Sequence, residues 1–286
     1  MCDGMGVSSA IERAIAGKWI AGAGINDAIR RTKELNARGI RTQINYLGEL
    51  FSDRKDVEES VNTYLKLIER ISNEGVKADI AVKSTQIGML ISASYAARNY
   101  SKIVGAARRR GVFVWLDMEE VEFVDRTISL YKTQVKNGGV GICIQSYLKR
   151  SERDIRNLIR SKAAIRLVKG AHASSKMKDY MPRPWATRNY RKLMGALFMG
   201  SGRIMVATHD RSLIDYAIRL DKRYGRKAEY AMLNGIMDRY AEKLASSGRP
   251  VSIYVPFGGR WVDYSYRRLK EMSNLKIIVR SILNGE

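Results

Sequence analysis

Residues 141–168, GICIQSYLKRSERDIRNLIRSKAAIRLV, contain the repeating unit that decides the fold of this chain. Two short apolar segments, Gly141 to Gln145 and Ala164 to Val168, flank a polar stretch, Arg153 to Arg160, whose apolar residues recur at helical spacing. Short apolar, β-branched segments predict buried strands, and an apolar stripe on one helix face predicts packing against a sheet. The stretch is therefore predicted to be a strand, a crossover helix and a second, parallel strand.

The same alternation recurs along the whole chain. Eight apolar segments are predicted strands, and they are Arg41 to Tyr46, Asp79 to Lys83, Val112 to Leu116, Gly141 to Gln145, Ala164 to Val168, Arg203 to Ala207, Lys227 to Ala231 and Val251 to Val255. Stretches with helical periodicity, such as Val57 to Ser72, separate them. Eight parallel strands with crossover helices predict an α/β protein with a (β/α)8 barrel of the TIM type.

An extra helix, Asn26 to Ala37, is predicted before the first strand. Asn26 or Asp27 is placed to cap its start, and Gly39 to end it. We expect this helix to cover the N-terminal end of the barrel. The predicted organisation is an N-terminal helical segment at residues 1–38 that caps the barrel, followed by a catalytic barrel at residues 39–286, in a single domain of ordinary size.

The composition argues against several classes of protein. The cysteines are Cys2 and Cys143, and the histidines are His172 and His209, so neither a disulfide framework nor a dedicated metal site is expected. No apolar run approaches the roughly 20 residues that cross a bilayer, and the first residues do not resemble a secretory signal. The expected location is the cytoplasm.

The chain is strongly basic, with 51 Lys and Arg residues against 29 Asp and Glu residues and a formal net charge of +22. Such a surface attracts polyanions in general, including nucleic acid and anionic lipid, but does not by itself give specificity. Because the basic residues are dispersed along the chain, a solvated surface is the simplest interpretation. No specific nucleic-acid partner is expected.

Polar residues follow the predicted strands, where the active site of a barrel lies. They are Lys83, Asp117-Met118-Glu119, Gln145-Ser146-Tyr147, Arg166, Lys169-Gly170-Ala171-His172, Thr208-His209-Asp210 and Tyr254. Each alone is explained by capping or by pairing with a neighbour. Together they supply several cations, few carboxylates and neutral hydrogen-bonding groups, which favours an anionic ligand with a polar heterocycle over a hydrolytic pair of carboxylates.

Two adjacent arginines, Arg267 and Arg268, follow the aromatic residues Trp261, Tyr264 and Tyr266 near the end of the chain. Neighbouring arginines on a helix are often solvated. The functional alternative is a forked clamp for a carboxylate, which the planar guanidinium favours over an ammonium.

At these residues the chain resembles the proline dehydrogenase family over nearly its whole length. The resemblance rests on an ordered set of motifs: Lys18-Trp19-Ile20-Ala21-Gly22, Tyr46-Leu47-Gly48-Glu49, Val82-Lys83 with Thr85-Gln86-Ile87-Gly88, Asp117-Met118-Glu119, Gln145-Ser146-Tyr147, Arg166-Leu167-Val168-Lys169-Gly170-Ala171, Ala207-Thr208-His209-Asp210, Tyr254-Val255-Pro256-Phe257-Gly258 and Arg267-Arg268-Leu269-Lys270-Glu271. Each motif alone is weak, but their shared order is specific.

The resemblance implies a flavoprotein that oxidises L-proline to Δ1-pyrroline-5-carboxylate by hydride transfer to non-covalent FAD, the first step of proline catabolism, with a quinone as electron acceptor. The residues implied to line FAD are Met118, Gln145, Arg166, Lys169, Gly170, Ala171, Thr208 and His209. Lys83, Arg267 and Arg268 would hold the proline carboxylate, and Tyr254 and Tyr264 would pack on its ring. Asp117 would lie beside the flavin and next to Arg166, and these two residues would have the catalytic role. Glu271 would pair with a cation of the site.

The chain departs from the family pattern at two positions, and it also lacks an acidic residue soon after His172, where Ser174 and Ser175 stand. Ala231 stands where the family usually has a glutamine facing the flavin, and His172 stands where it usually has a tyrosine. These departures leave open a flavin oxidoreductase of the same fold that acts on another small imino or amino acid. A basic, non-catalytic barrel that binds nucleic acid or a membrane is the alternative from another class.

A non-periodic stretch from Ala173 to Ala186 is predicted to be a functional loop. Its basic and aromatic residues, with those that follow, are Lys176, Lys178, Tyr180, Arg183, Trp185, Arg188, Tyr190, Arg191 and Lys192. Three interpretations stay open: binding of the FAD pyrophosphate, peripheral contact with the anionic inner face of a membrane, and solvation.

Overall fold

The computed structural model describes residues 19–170 and 177–259, and its centre is a closed barrel of eight parallel strands in chain order. The strands are β1 (Arg41–Tyr46), β2 (Ala78–Lys83), β3 (Val114–Asp117), β4 (Val140–Gln145), β5 (Ala164–Val168), β6 (Ile204–Ala207), β7 (Glu229–Leu233) and β8 (Val251–Phe257). β1 pairs with β8 to close the sheet. The predicted barrel and all eight strands are confirmed, although β3 and β7 begin two residues later than predicted.

The described residues form eight α-helices. They are α1 (Ile25–Ala37), α2 (Arg54–Asn73), α3 (Ala93–Arg109), α4 (Val124–Lys132), α5 (Ser151–Arg160), α6 (Arg183–Met199), α7 (Arg211–Tyr224) and α8 (Asp238–Ser246). Each helix from α2 to α8 connects two consecutive strands, and α1 precedes β1. The three helices that the sequence analysis delimits, at 26–37, 57–72 and 153–160, are confirmed as α1, α2 and α5.

The start of α1 differs from the prediction. Its N-cap is Gly24 rather than Asn26 or Asp27. Asp27 lies one turn inside the helix, and its carboxylate accepts a hydrogen bond of 3.1 Å from the Gly24 N–H. This bond satisfies a donor near the start of the helix, so Asp27 stabilises the start without being the cap. Gly39 follows the helix at φ +75°, as the predicted stop requires.

Helix α1 lies on the outer wall of the barrel, against β8 and β1. Before the helix, the Ala21 N–H donates to the Pro256 carbonyl at the C-terminal end of β8. Within the helix, the hydroxyls of Thr32 and Thr42 are 3.1 Å apart near the start of β1. The helix therefore runs down the wall, and the expectation that it covers the N-terminal end is wrong. The division of the chain at residue 38 stays a prediction.

The interior of the barrel is charged near its N-terminal end. Asp79 is 1% exposed, and its carboxylate accepts hydrogen bonds from Arg41 (2.8 Å), Arg203 (2.9 Å) and the Trp115 indole (3.0 Å). Arg203 also pairs with Glu229 at 2.6 Å. Buried charges persist where they are paired and hydrogen-bonded, so the buried carboxylates of Asp79 and Glu229 are stabilised by the partly exposed arginines Arg41 and Arg203. Apolar side chains around Trp115 lie above these ion pairs.

No helix within 19–170 and 177–259 is long and apolar enough to cross a membrane. Among the same residues, no group of three or more His, Cys, Asp and Glu side chains is arranged to hold a metal ion. Cys143 is buried in β4.

The close approach of β4 to Trp115 gives a test of the packing inside the barrel. A Cβ on Gly141 would overlap the Trp115 ring, whereas a Cβ on Gly195 in α6 would meet no atom within 4 Å. We expect Gly141→Ala to lower the free energy of unfolding by about 1–3 kcal/mol, because the core would be overpacked. Gly195→Ala should raise it by up to about 1 kcal/mol through higher helix propensity. Urea unfolding of both variants beside the wild type measures this, and equal stability of the two variants would contradict the packing described.

Candidate active site

The predicted site residues within the described chain gather at the C-terminal ends of the strands. β2, β3 and β4 end at Lys83, Asp117 and Gln145, whereas Arg166 is the middle residue of β5 and Tyr254 lies within β8. Lys83 is in register with Asp117, and Arg166 is in register with Cys143, two residues before the end of β4. Thr208 and His209 follow β6 directly. The barrel thus brings these residues to the end where barrel enzymes bind their ligands.

Arg166 is buried inside the barrel and forms the centre of the site. Its guanidinium donates to the Asp117 carboxylate, and the Tyr254 hydroxyl donates to the other oxygen of that carboxylate at 2.8 Å. The guanidinium carbon lies 5.4 Å from the centre of the Tyr254 ring and 5.7 Å from that of Trp115. A cation between two aromatic faces and one carboxylate is held in a single orientation.

Gln43 is a site residue that sequence reasoning missed. Its side-chain carbonyl accepts a hydrogen bond from Arg166, and its amide nitrogen donates to the Ser252 hydroxyl at 2.7 Å. Gln43 and Ser252 are fully buried. Because the Ser252 bond fixes which end of the Gln43 amide faces Arg166, the pair orients the guanidinium from below. The sequence pattern that could have identified Gln43 is the polar residue at every second position of β1, namely Arg41, Gln43 and Asn45.

Glu49 is a second residue without a predicted role. It lies in the turn after β1, and its carboxylate is 2.7 Å from the Lys83 ammonium. The two side chains are only 20% and 12% exposed. Partial burial strengthens such a pair relative to one on the open surface. Lys83 is therefore held at the mouth of the barrel by a neighbouring carboxylate.

Glu119 lies behind Lys83 and is buried. Its carboxylate accepts hydrogen bonds from the Ser84 hydroxyl (2.9 Å), the Thr85 N–H (3.0 Å) and the Thr85 hydroxyl. Burial raises the pKa of the Glu119 carboxyl, although the Lys83 ammonium and the hydrogen bonds from Thr85 and Ser84 act in the opposite direction. The sequence analysis named Glu119 within a motif but gave it no role.

Gln145 and the residues after β6 line the opposite side of the mouth. The Gln145 amide nitrogen donates to the Met118 and Glu119 carbonyls, both at 3.2 Å. Within the described chain its side-chain oxygen is buried and has no hydrogen-bond partner. The His209 Nε2 accepts from the Leu233 N–H at 3.0 Å, which assigns the ring proton to Nδ1.

Lys169 and Gly170 follow β5 at the same edge. The Lys169 ammonium is 2.8 Å from the Asp210 carboxylate. Burial opposes ionisation of Asp210, but Lys169 and the Ser212 hydroxyl outweigh it, so the pKa of this carboxyl is lowered. Gly170 has φ +102°, and a Cβ there would overlap the Tyr147 ring. Only glycine therefore fits at this turn.

Several predicted residues lie outside the described residues. They are Ala171, His172, Tyr264, Arg267, Arg268 and Glu271. Of the two departures from the family pattern, only Ala231 is described, and it is buried inside the barrel together with Trp115 and Met205.

The described site can hold an anion and a planar polar ligand. Lys83, Arg166 and Lys169 supply positive charge, and each is oriented by a carboxylate. Gln145 contributes a buried acceptor, and Thr208 and His209 add polar groups. Among the described residues, the carboxylates Glu49, Asp117 and Asp210 are each paired with a cation, so the arrangement suits binding and charge stabilisation better than hydrolysis.

Comparison with known proteins identifies relatives over most of the chain. The family model described as proline dehydrogenase matches residues 28–277. The chain is 32% identical over 281 residues to a proline dehydrogenase of Deinococcus radiodurans, which covers 95% of this chain and 91% of that protein. It is 30% identical over 274 residues to proline dehydrogenase 1 of Bacillus subtilis, covering 94% and 90% of the two chains.

A solved structure shares the fold. The crystal structure of proline utilization A from Bdellovibrio bacteriovorus, inactivated by N-propargylglycine, superimposes with a TM-score of 0.88 at 19% identity. The match covers 97% of this chain but 35% of that longer protein. Since the family model and the curated relatives extend over most of the sequence, this chain belongs to the proline dehydrogenase family.

Proposed function

We propose that this protein oxidises L-proline to Δ1-pyrroline-5-carboxylate with FAD as the hydride acceptor, as the first step of proline catabolism. The observation that supports this most is the buried Arg166, which Asp117 and Gln43 orient toward the mouth of the barrel. The position suits a cation that must stabilise negative charge developing on a ligand above it. The names of the curated relatives supply the substrate.

The residues at the mouth fit FAD. The Gln145 side-chain oxygen is a buried acceptor without a partner among the described residues, and a flavin ring offers an N–H donor that would satisfy it. Lys169 would lie near the anionic parts of the cofactor, and Gly170 permits a close backbone approach. Met118, Thr208 and His209 would complete the lining, with Ala171 outside the described residues. When bound, FAD would accept the hydride, and the protein would supply orientation and charge.

The other residues would bind and orient proline. Lys83 would hold the proline carboxylate together with Arg267 and Arg268, which lie outside the described residues. Tyr254 would pack on the proline ring, as would Tyr264. Fixing the carboxylate orients the ring carbon beside the nitrogen toward the acceptor, and this positioning is the main contribution that a protein makes to hydride transfer.

A spectrum of the purified protein tests the proposal. We expect a yellow protein whose flavin absorbance bleaches when L-proline is added without oxygen. Bleaching by a different imino or amino acid, but not by proline, would support an oxidoreductase of altered specificity. A colourless protein that binds DNA with a steep salt dependence would support the non-catalytic alternative.

Replacement of Lys83 tests the carboxylate site within the described chain. Lys83→Met should leave the flavin content unchanged and raise the KM for proline by about 10- to 150-fold, because a charge-assisted hydrogen bond contributes about 1.5–3 kcal/mol. Lys222→Met is the control, since Lys222 is exposed at the end of α7, near the N-terminal end of the barrel. Steady-state kinetics of both variants measure this effect. A normal KM in Lys83→Met would argue against a role of Lys83 in binding the carboxylate.

We also propose a quinone as electron acceptor and a weak, peripheral contact with an anionic membrane. Trp185 at the start of α6 is 58% exposed, and the Arg188 guanidinium lies 5.8 Å from its ring. Lys178 and Arg183 are exposed nearby. An exposed aromatic residue among basic residues suits the boundary between water and lipid headgroups.

Vesicle sedimentation tests the membrane contact. Changing Lys178 and Arg183 to Ser should weaken binding to anionic vesicles, since each basic residue near such a surface contributes about 1 kcal/mol. Changing Lys222 and Arg223 to Ser removes the same charge at the end of α7, at the opposite end of the barrel, and should have a smaller effect. Equal loss in both variants, or no binding of the wild type at low salt, would exclude this loop as the contact.

A further inference from the structure

The turn that carries Glu49 is held in place by Thr85. The Leu50 N–H donates to the Thr85 hydroxyl oxygen at 2.9 Å, and the Phe51 N–H donates to the Thr85 carbonyl at 3.2 Å. Leu50 has φ +56°, a left-handed conformation that a leucine rarely adopts, and its side chain is 47% exposed. Burial of Leu50 therefore does not explain the strained turn, whereas the two bonds to Thr85 do.

The orientation of the Thr85 hydroxyl is set by Glu119. A hydroxyl has one hydrogen, and here it is donated to the Glu119 carboxylate. The lone pairs of the Thr85 oxygen are then available to the Leu50 N–H. The Thr85 backbone N–H donates to the other carboxylate oxygen and fixes the orientation of Glu119, and the Ser84 hydroxyl is a further donor to that oxygen. A buried carboxylate is costly unless it is fully hydrogen-bonded, and three donors meet this condition.

We propose that Glu119 and Thr85 form a positioning pair that sets the geometry of the Glu49–Lys83 ion pair. The hydrogen bonds run from the buried carboxylate through the Thr85 hydroxyl to Leu50, the residue next to Glu49. Glu49 in turn orients the Lys83 ammonium at 2.7 Å. The inference rests on the proposed function only in that Lys83 binds the substrate carboxylate. Neither Glu119 nor Thr85 is assigned contact with the substrate.

Three variants separate positioning from general stability. Thr85→Val keeps the shape of the side chain but removes the hydroxyl that connects Glu119 to Leu50. Thr85→Ser keeps the hydroxyl and should restore the wild-type properties. Ser84→Ala is the matched control, because it removes one donor to Glu119 that is not part of the path to the turn.

The primary measurement is the rate at which Lys83 is acylated in the flavin-loaded protein, followed by mass spectrometry of its peptide. In Thr85→Val we expect that rate to rise by about threefold or more, because Glu49 no longer holds the ammonium in a partly buried pair. The KM for proline should rise by about three- to tenfold with kcat changed by less than about twofold, since ground-state positioning is lost. Thr85→Ser and Ser84→Ala should match the wild type in both measurements.

Two outcomes would overturn the proposal: unchanged acylation of Lys83 in Thr85→Val, or an equal rise in Ser84→Ala. The acylation rate does not depend on turnover, so it tests the positioning pair even if the wild type fails to oxidise proline. That failure would refute the proposed function but not the positioning pair. Should Thr85→Val not fold, Thr85→Ala takes its place, because it removes the same hydroxyl with a smaller side chain. Faster acylation of Lys83 is expected there too, and an unchanged rate counts against the pair.

Discussion

Arg166 carries its charge inside a closed barrel, and much of the site follows from the need to neutralise and orient that charge. An isolated guanidinium there would cost several kcal/mol of desolvation. Asp117 balances the charge, Gln43 accepts a second hydrogen bond, and two aromatic faces enclose the cation. These partners are fixed in turn by Ser252 and Tyr254. A cation held in this way can stabilise charge on a ligand without reorganising at the moment of reaction.

The two ends of the barrel interior use similar residues for different purposes. At the N-terminal end, Asp79 and Glu229 pair with Arg41 and Arg203, so opposite charges are matched within the protein. At the C-terminal end, Lys83, Arg166 and Lys169 are each paired with a separate carboxylate, so each cation is oriented individually. These oriented cations lie at the end of the barrel where barrel enzymes bind their ligands.

The amount that the sequence could predict depends on how local each signal is. Most of the eight strands were predictable because they are short, largely apolar runs between stretches of helical periodicity, and the strand-end residues followed from that topology. The predicted N-cap of α1 was wrong because an acidic residue can stabilise a helix start both as the N-cap and from the first turn, where Asp27 lies. Gln43 was missed because it lies within a strand, and Glu119, Thr85 and Glu49 because their roles depend on contacts between three different strand ends. Hydrogen bonds between residues more than 30 positions apart leave no periodic pattern in a sequence.

The position of α1 affects the order in which the barrel can assemble on the ribosome. Its inward-facing residues Ala28, Ile29 and Leu35 are buried against a wall that includes β8, which is synthesised more than 200 residues later. Until that strand emerges, both the apolar side of α1 and the open edge of β1 lack their final neighbour. Exposed strand edges and apolar surfaces promote aggregation during slow folding. These two surfaces of the nascent chain therefore stay uncovered until β8 emerges, which is the stage at which protection by a chaperone would matter most.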